Sequence, residues 1–232
     1  MANIFITGTS RGIGRSIFEA FEGHNVVGHS SRGGEGEIGA DLAEPGAVEP
    51  LWAEALARLD GRIDVVVNNA GVFEAAPVDA PHDEFVALWE RTMRINLTAS
   101  AELCRLAVLH FRENGGGRIV NVASRAAYRG DSPAHWHYAA SKAGMVGMTK
   151  SIARGFAAEN ILAFTVCPGF TMTGMAEEYL ASRGGDTLLA DIPLGRVAGV
   201  DEVAETVRWF ALDAPPSATG SVIDVNGASY VR

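Results

Sequence analysis

Two hydrophobic periods alternate along this chain. NIFIT (3–7), NVVGHS (25–30), EIGADL (37–42), IDVVVNNA (63–70), GRIVNVAS (117–124), ILAFTVCP (161–168) and SVIDVNG (221–227) are short apolar runs ended by small or polar residues, the pattern of buried strands. Between them the spacing predicts helices over roughly 13–22, 45–60, 82–112, 138–159 and 201–212. Near-continuous apolar strands separated by helices imply βαβ units, hence a doubly wound parallel α/β sheet of about seven strands with helices on both faces and right-handed crossovers. The irregular stretch 174–200, with Gly184, Gly185 and Pro193, is read as a lid over the C-terminal ends of the strands.

Composition narrows the class of partner. At 232 residues, with 47% hydrophobic and 20% charged residues and no compositional break, the chain is expected to fold as a single domain over 1–232. A net charge of −9 without a Lys/Arg cluster argues against nucleic acid and against an anionic membrane surface, leaving a small molecule as the partner. The opening MANIFITG runs straight into a strand without a basic leader, so a cytoplasmic location is expected. Cys104 and Cys167 lack metal-ligand spacing and read as buried thiols. Asn96-Leu97-Thr98 matches a glycosylation acceptor only formally, so Asn96 needs another role.

The first candidate chemistry follows the first strand. TGTSRGIG (7–14) places Gly8, Gly12 and Gly14, with Ser10, Arg11 and Ile13 among them, at the opening of a helix. Glycine permits a tight turn and close backbone approach, and the helix start adds partial positive charge, so the turn suits a pyrophosphate. The form of the dinucleotide is read at the end of the second strand, where an Asp or Glu bonds a ribose 2′-hydroxyl and basic groups accept a 2′-phosphate. That strand ends in His29-Ser30-Ser31-Arg32, with no carboxylate until Glu35, and Arg11 can approach from the turn. NADP(H) is therefore expected over NAD(H), the alternative for Arg32 being an ordinary solvated loop residue. The short segment GGEGEIG leaves almost no room for a helix between the second and third strands.

The second set is Asn96, Ser124, Tyr138 and Lys142, in that order. A phenol with a pKa of about 10 needs help to exchange protons at neutral pH, and Lys142, four residues on, shares its helical face and supplies positive charge. Ser124 can bond the reacting oxygen, and Asn96 can hold a water that relays protons to the lysine.

Together these residues make the sequence resemble the short-chain dehydrogenase/reductase family. The likeness covers TGTSRGIG, Asp41-Leu42, NNAG (68–71), Asn96, Ser124, YAASK (138–142), PGFTMTGM (168–175) and VIDVNG (222–227), nearly the whole chain. The resemblance implies a Rossmann-type sheet, a nicotinamide dinucleotide, and hydride transfer between it and a ketone or secondary alcohol, catalysed by Asn96, Ser124, Tyr138 and Lys142. By the same resemblance Asp41 and Leu42 flank the adenine and Asn69, Ala70 and Gly71 line the adenosine side. Ile13 and Lys142 then meet the nicotinamide ribose, and Pro168, Gly169, Thr171 and Thr173 run past the nicotinamide. Arg154 lies on the helix of Tyr138, as does an arginine in the 3-oxoacyl-carrier-protein reductases that this chain resembles, and the family's pairing of the helices at 97–112 and 141–158 into dimers, with the C-terminal strand building tetramers, implies a homotetramer, or a dimer at the least.

One feature departs from the family. The segment from Ser124 to Tyr138 is one residue longer than is usual, and it borders the substrate. It holds Arg125, His135, Trp136 and His137, which are assigned to the substrate pocket, while Tyr128 is excluded as the acid because Ser132 stands where its lysine would be. His135 and His137 with Asp131 make a poor metal set, so no metal is expected. Arg125 and Arg129 attract an acidic substrate or are merely solvated. The expected reaction is NADPH-dependent reduction of a 3-oxoacyl thioester-like carbonyl. The alternatives are oxidation of a small polyol, sugar or hydroxy acid, and a dinucleotide sensor without turnover.

Overall fold

The structure is a computed structural model that describes residues 1–172 and 189–232. Thr173 and most of the expected lid at 174–200 lie outside the described residues. Seven parallel strands form one sheet in the order β3-β2-β1-β4-β5-β6-β7: β1 Asn3–Thr7, β2 Asn25–Ser30, β3 Glu37–Gly39, β4 Val65–Asn68, β5 Gly117–Val122, β6 Ile161–Pro168 and β7 Val222–Val225. Every strand pair is parallel, as near-continuous apolar runs require when helices cover both faces.

Alternation along the strands divides the core into two layers. Phe5, Val66 and Ile119 point to one face, where they pack with Leu51 and Trp52 of α2 (Val48–Arg58), Leu103 and Phe111 of α4 (Ala99–Glu113) and Ile152 of α6 (Trp136–Phe156). Their neighbours Ile4, Ile6, Val67 and Val120 point to the other, against Ile17 of α1 (Gly12–Ala20) and Val207 and Phe210 of α7 (Val200–Leu212). No helix among the described residues is long and apolar enough to cross a membrane.

Two local features depart from the periodicity. The expected helix over 82–112 is divided into α3 (His82–Met93), a π-helical turn (Arg94–Thr98) and α4. A π turn inserts one extra residue per turn and re-aims the side chains it carries, here Asn96. A short helix, α5 (Ala126–Arg129), follows β5 inside the segment between Ser124 and Tyr138 that is one residue longer than usual. The order reverses between β1 and β4, so the crevice above their C-terminal ends is the place where a doubly wound sheet binds its ligand.

Candidate active site

The floor of the crevice is the turn after β1. Gly8 (φ +74°) and Gly12 (φ +56°) occupy the left-handed region that glycine adopts without strain. A Cβ on Gly14 would collide with the Gly8 carbonyl oxygen and with the Asn69 amide, so close approach demands glycine there. Asn69 fastens the turn to the end of β4: its Nδ2 donates to the carbonyls of Thr7 (3.1 Å) and Gly8 (3.0 Å). Thr7 Oγ1 in turn accepts from the backbone N–H groups of Asn69 and Ala70, both at 3.1 Å. The N-terminus of α1 has no side-chain cap, and Ser10 and Arg11 beside it are exposed. Its unfilled N–H groups and partial positive charge fit a pyrophosphate.

The second wall comes from β5, β6 and α6. Ser124 stands beside Tyr138 and pulls the pKa of its phenol down. Ser124 Oγ accepts from the Ala126 N–H at 3.1 Å, which ties the hydroxyl to the start of α5. Burial pushes the Tyr138 phenol up to about 12, against the pull of Ser124, so at neutral pH it carries its proton. Tyr138 and Lys142 share one face of α6, as their spacing requires.

The ammonium is bonded to the sheet as well as placed near the phenol. Lys142 Nζ donates to the Val122 carbonyl at 2.9 Å and lies 5.8 Å from the centre of the Tyr138 ring. The long side chain reaches the nearest acceptor on β5, a choice that periodicity does not report. Burial pulls Lys142 down to about 8 from its ordinary 10.5. The unfolded chain binds more protons than the folded one between those values, so stability rises with pH from about 8 to about 10.5, by up to about 3 kcal/mol. Urea midpoints across that range should climb for the wild type relative to Lys142→Met; a constant difference between the two would refute the buried ammonium.

Asn96 is committed to a structural bond pair. In the π turn its Oδ1 accepts from the Val72 N–H (2.8 Å) and its Nδ2 donates to the Val72 carbonyl (3.0 Å) and to Ser141 Oγ (3.3 Å). The side chain is therefore occupied in holding the loop after β4. Gly71 on that loop faces the lysine: a Cβ there would lie 3.3 Å from Asn96 Oδ1 and 3.5 Å from Lys142 Nζ. Asn96 thus sets the distance between the Asn69–Gly71 loop and α6.

The residues assigned to the adenosine end separate. Ser31, Arg32 and Asp41 are exposed around the ends of β2 and β3, whereas Leu42 is buried in the core against the sheet. His29 is buried with Nε2 2.9 Å from the Ala40 carbonyl oxygen, and burial lowers its pKa. The nearest carboxylate is not that of Glu35, which is exposed, but of Glu37 at the start of β3. Its side chain turns back to bond Thr9 Oγ1 and Ser30 Oγ, each at 2.7 Å. The signal was present in the short glycine-rich connection, which allows β3 to return at once beside β2.

The pocket residues are also divided. His135 stacks on Phe73 with ring centres 3.9 Å apart, and Phe73 meets Tyr138 edge-on at 4.8 Å. Phe73, half exposed after NNAGV, is a wall of the site that motif reading missed. Trp136 is exposed and leans on Phe85. His137 is fully buried between Trp89 and His135, with ring centres 6.4 and 6.3 Å away, and burial lowers its pKa, so it lies beneath the mouth that His135 lines. The Arg125 guanidinium lies 5.0 Å over the Phe170 ring and 3.7 Å from Asp191, which Arg129 holds at 2.7 Å. Pro168 ends β6, Gly169 packs against Asn226, and Thr171 is buried with its hydroxyl on the Gly169 carbonyl. Among the described residues no group of three or more His, Cys, Asp or Glu side chains is placed to hold a metal.

A dinucleotide-type turn facing a serine and a protonated tyrosine across one crevice is the site of an oxidoreductase working on the CH–OH/C=O pair. Comparison with known proteins agrees. A family model described as enoyl-(acyl carrier protein) reductase matches residues 8–228. The chain is 34% identical over 242 residues to the 3-oxoacyl-[acyl-carrier-protein] reductase FabG of Thermotoga maritima, covering 97% of this chain and 96% of that protein. It is 31% identical over 240 residues to FabG of Escherichia coli (97% and 96%), and 30% identical over 244 residues to the D-threitol dehydrogenase of Mycolicibacterium smegmatis (98% and 92%). The chain belongs to the short-chain dehydrogenase/reductase family.

Proposed function

We propose that this protein is a cytoplasmic, nicotinamide-dinucleotide-dependent carbonyl reductase whose substrate is a 3-oxoacyl thioester or a close analogue. The observation that carries the reading is the packing of Tyr138, Phe73 and Lys142 together on α6 and the loop after β4, in a chain whose first strand ends in a glycine turn at the uncapped start of α1. The residues present fit the dinucleotide: the α1 N–H groups toward the pyrophosphate, the Asn69–Gly71 loop along the adenosine side, Lys142 toward a ribose. When bound, the dinucleotide supplies the hydride that the carbonyl carbon receives.

The chain's own residues hold the oxygen and move the proton. Ser124 donates to the carbonyl oxygen and orients it, and Tyr138 releases its proton to that oxygen as negative charge develops there. A phenol that gains charge in this step is stabilised by the Lys142 ammonium on the same face of α6, a charge that matters more as the site closes and water leaves. Alcohol oxidation is the reverse and needs Tyr138 deprotonated. Arg125 and Phe170 beside Ser124 support a substrate with an apolar arm and an anionic or strongly polar group.

Assembly follows from the same reading. Gly147 and Gly155 on α6 have open space where a Cβ would stand, and Leu109 of α4 is 44% exposed, which supports association of copies through these two helices. The test is a substrate panel: loss of reduced-nicotinamide absorbance with 3-oxoacyl thioesters, diketones and sugars, and its gain with polyols. Turnover of 3-oxoacyl thioesters above the rest is expected, and light scattering on the same preparation should read four chains. Polyol oxidation without thioester reduction would transfer the assignment to a polyol dehydrogenase, and binding without turnover of any kind would make the chain a sensor.

A further inference from the structure

The β2–β3 connection holds a feature that neither the motifs nor the relatives assign. It spans only Ser31-Arg32-Gly33-Gly34-Glu35-Gly36, and Gly33 (φ +73°) and Gly36 (φ +74°) make the two left-handed bends that return the chain at once. The return is locked by backbone bonds from Gly28 N to the Gly36 carbonyl (2.9 Å) and from Glu37 N to the Gly34 carbonyl (3.0 Å). Glu37 thus pairs with Gly28 of β2, and its side chain crosses that glycine: a Cβ on Gly28 would lie 3.3 Å from Glu37 Cγ. The carboxylate arrives between Thr9, in the glycine turn after β1, and Ser30, the last residue of β2.

That is the place where a doubly wound dinucleotide site reads the ribose, at the end of the second strand and beside the first turn. The side chain is partly exposed, and two hydroxyl donors at 2.7 Å fill only two of its roughly four lone-pair directions. We infer that Glu37, reaching the end of β2 from the neighbouring strand, is the carboxylate that accepts the ribose 2′-hydroxyl, and that the chain takes NAD(H) in preference to NADP(H). This rests on the dinucleotide reading of the site, and it replaces the expectation drawn from Ser31 and Arg32.

Charge and mobility decide between the competing features. A 2′-hydroxyl donates to a carboxylate, whereas a 2′-phosphate has no proton to offer and meets like charge. Arg11 and Arg32 are the cations nearby in sequence, but both are exposed, so water and salt screen them, while Glu37 is fixed by two bonds at the reading position. Thr9 and Ser30 act as positioning residues: they hold the carboxylate without touching the ligand themselves.

Binding, read without turnover, tests this. Titrating the whole protein with NADH and with NADPH, followed by nicotinamide fluorescence, is expected to show NADH tighter by about ten- to a hundredfold, the worth of one hydrogen bond to a charged acceptor. Glu37→Gln keeps the size and a hydrogen-bonding head group, and it should shrink that ratio by about tenfold or more, mostly through tighter NADPH. If the wild type binds NADPH as tightly as NADH or more so, the inference is overturned without reference to any variant. An NADH preference that Glu37→Gln leaves unchanged, in a variant whose melting temperature matches the wild type, overturns Glu37 as its source. Failure of both dinucleotides to bind overturns the dinucleotide reading of the site itself, which distinguishes the two failures.

Discussion

Tyr138→Phe is expected to lower kcat for carbonyl reduction by roughly 10²–10⁴-fold, the range for losing a positioned general acid, while dinucleotide affinity stays at its wild-type value. The substitution deletes one oxygen and little else. The ring keeps its edge contact with Phe73 and its place on α6, so the fold around it has no cavity to absorb. The oxygen removed is the one beside Ser124, while Lys142 is turned to the Val122 carbonyl and the His135 ring stacks on Phe73, which meets Tyr138 by its edge. Single-turnover kinetics with pre-bound reduced dinucleotide isolates the chemical step. A variant that turns over near the wild-type rate would show that the proton comes from a different group and would end the assignment of Tyr138.

Gly14→Ala is expected to be nearly as damaging, by a different route. The added methyl would fall on the Gly8 carbonyl oxygen and against the Asn69 side-chain amide. Neither can step aside cheaply, because the Asn69 amide is bonded to both the Thr7 and Gly8 carbonyls and so joins β1 to β4. Overpacking of this kind costs about 1–3 kcal/mol, and each kcal/mol lowers the melting temperature of a chain of this size by about 2–4 °C. The larger consequence is for binding. The Gly8 backbone must move, the floor of the crevice moves with it, and dinucleotide affinity should fall by at least about tenfold. Calorimetric melting and dinucleotide titration of the same variant check both effects. Unchanged affinity in a variant with a depressed melting temperature would show that the turn supports the fold without forming the binding floor.

How much of the site was legible beforehand differs from residue to residue, for physical reasons. The glycine turn and the Tyr138–Lys142 pair were legible because both are local: a turn needs positive φ within a few residues, and two side chains four apart share a helical face. The two-layer core was legible because strand alternation and helix period are short-range patterns. Asn96 was found by motif, but the loop that its side chain holds was not legible. A buried amide that satisfies both backbone groups of Val72, 24 residues away, leaves no trace in the spacing of its neighbours. Phe73 was overlooked because a single aromatic after a strand has no periodic signature, and His137 was placed at the mouth because sequence adjacency to Tyr138 says nothing about which way a helix faces its neighbours.

The alternation of seven apolar strands with helices, the glycine turn and the candidate pair Tyr138 and Lys142 were written into the order of residues itself, since each depends on interactions within one turn, strand or helical face. Tertiary structure alone decided that the order reverses between β1 and β4 to make the crevice, that Lys142 bonds the Val122 carbonyl of β5, and that Glu37 returns to the end of β2. These depend on which strands lie side by side and on which acceptor a long side chain reaches first, distances through space that spacing along the chain does not encode.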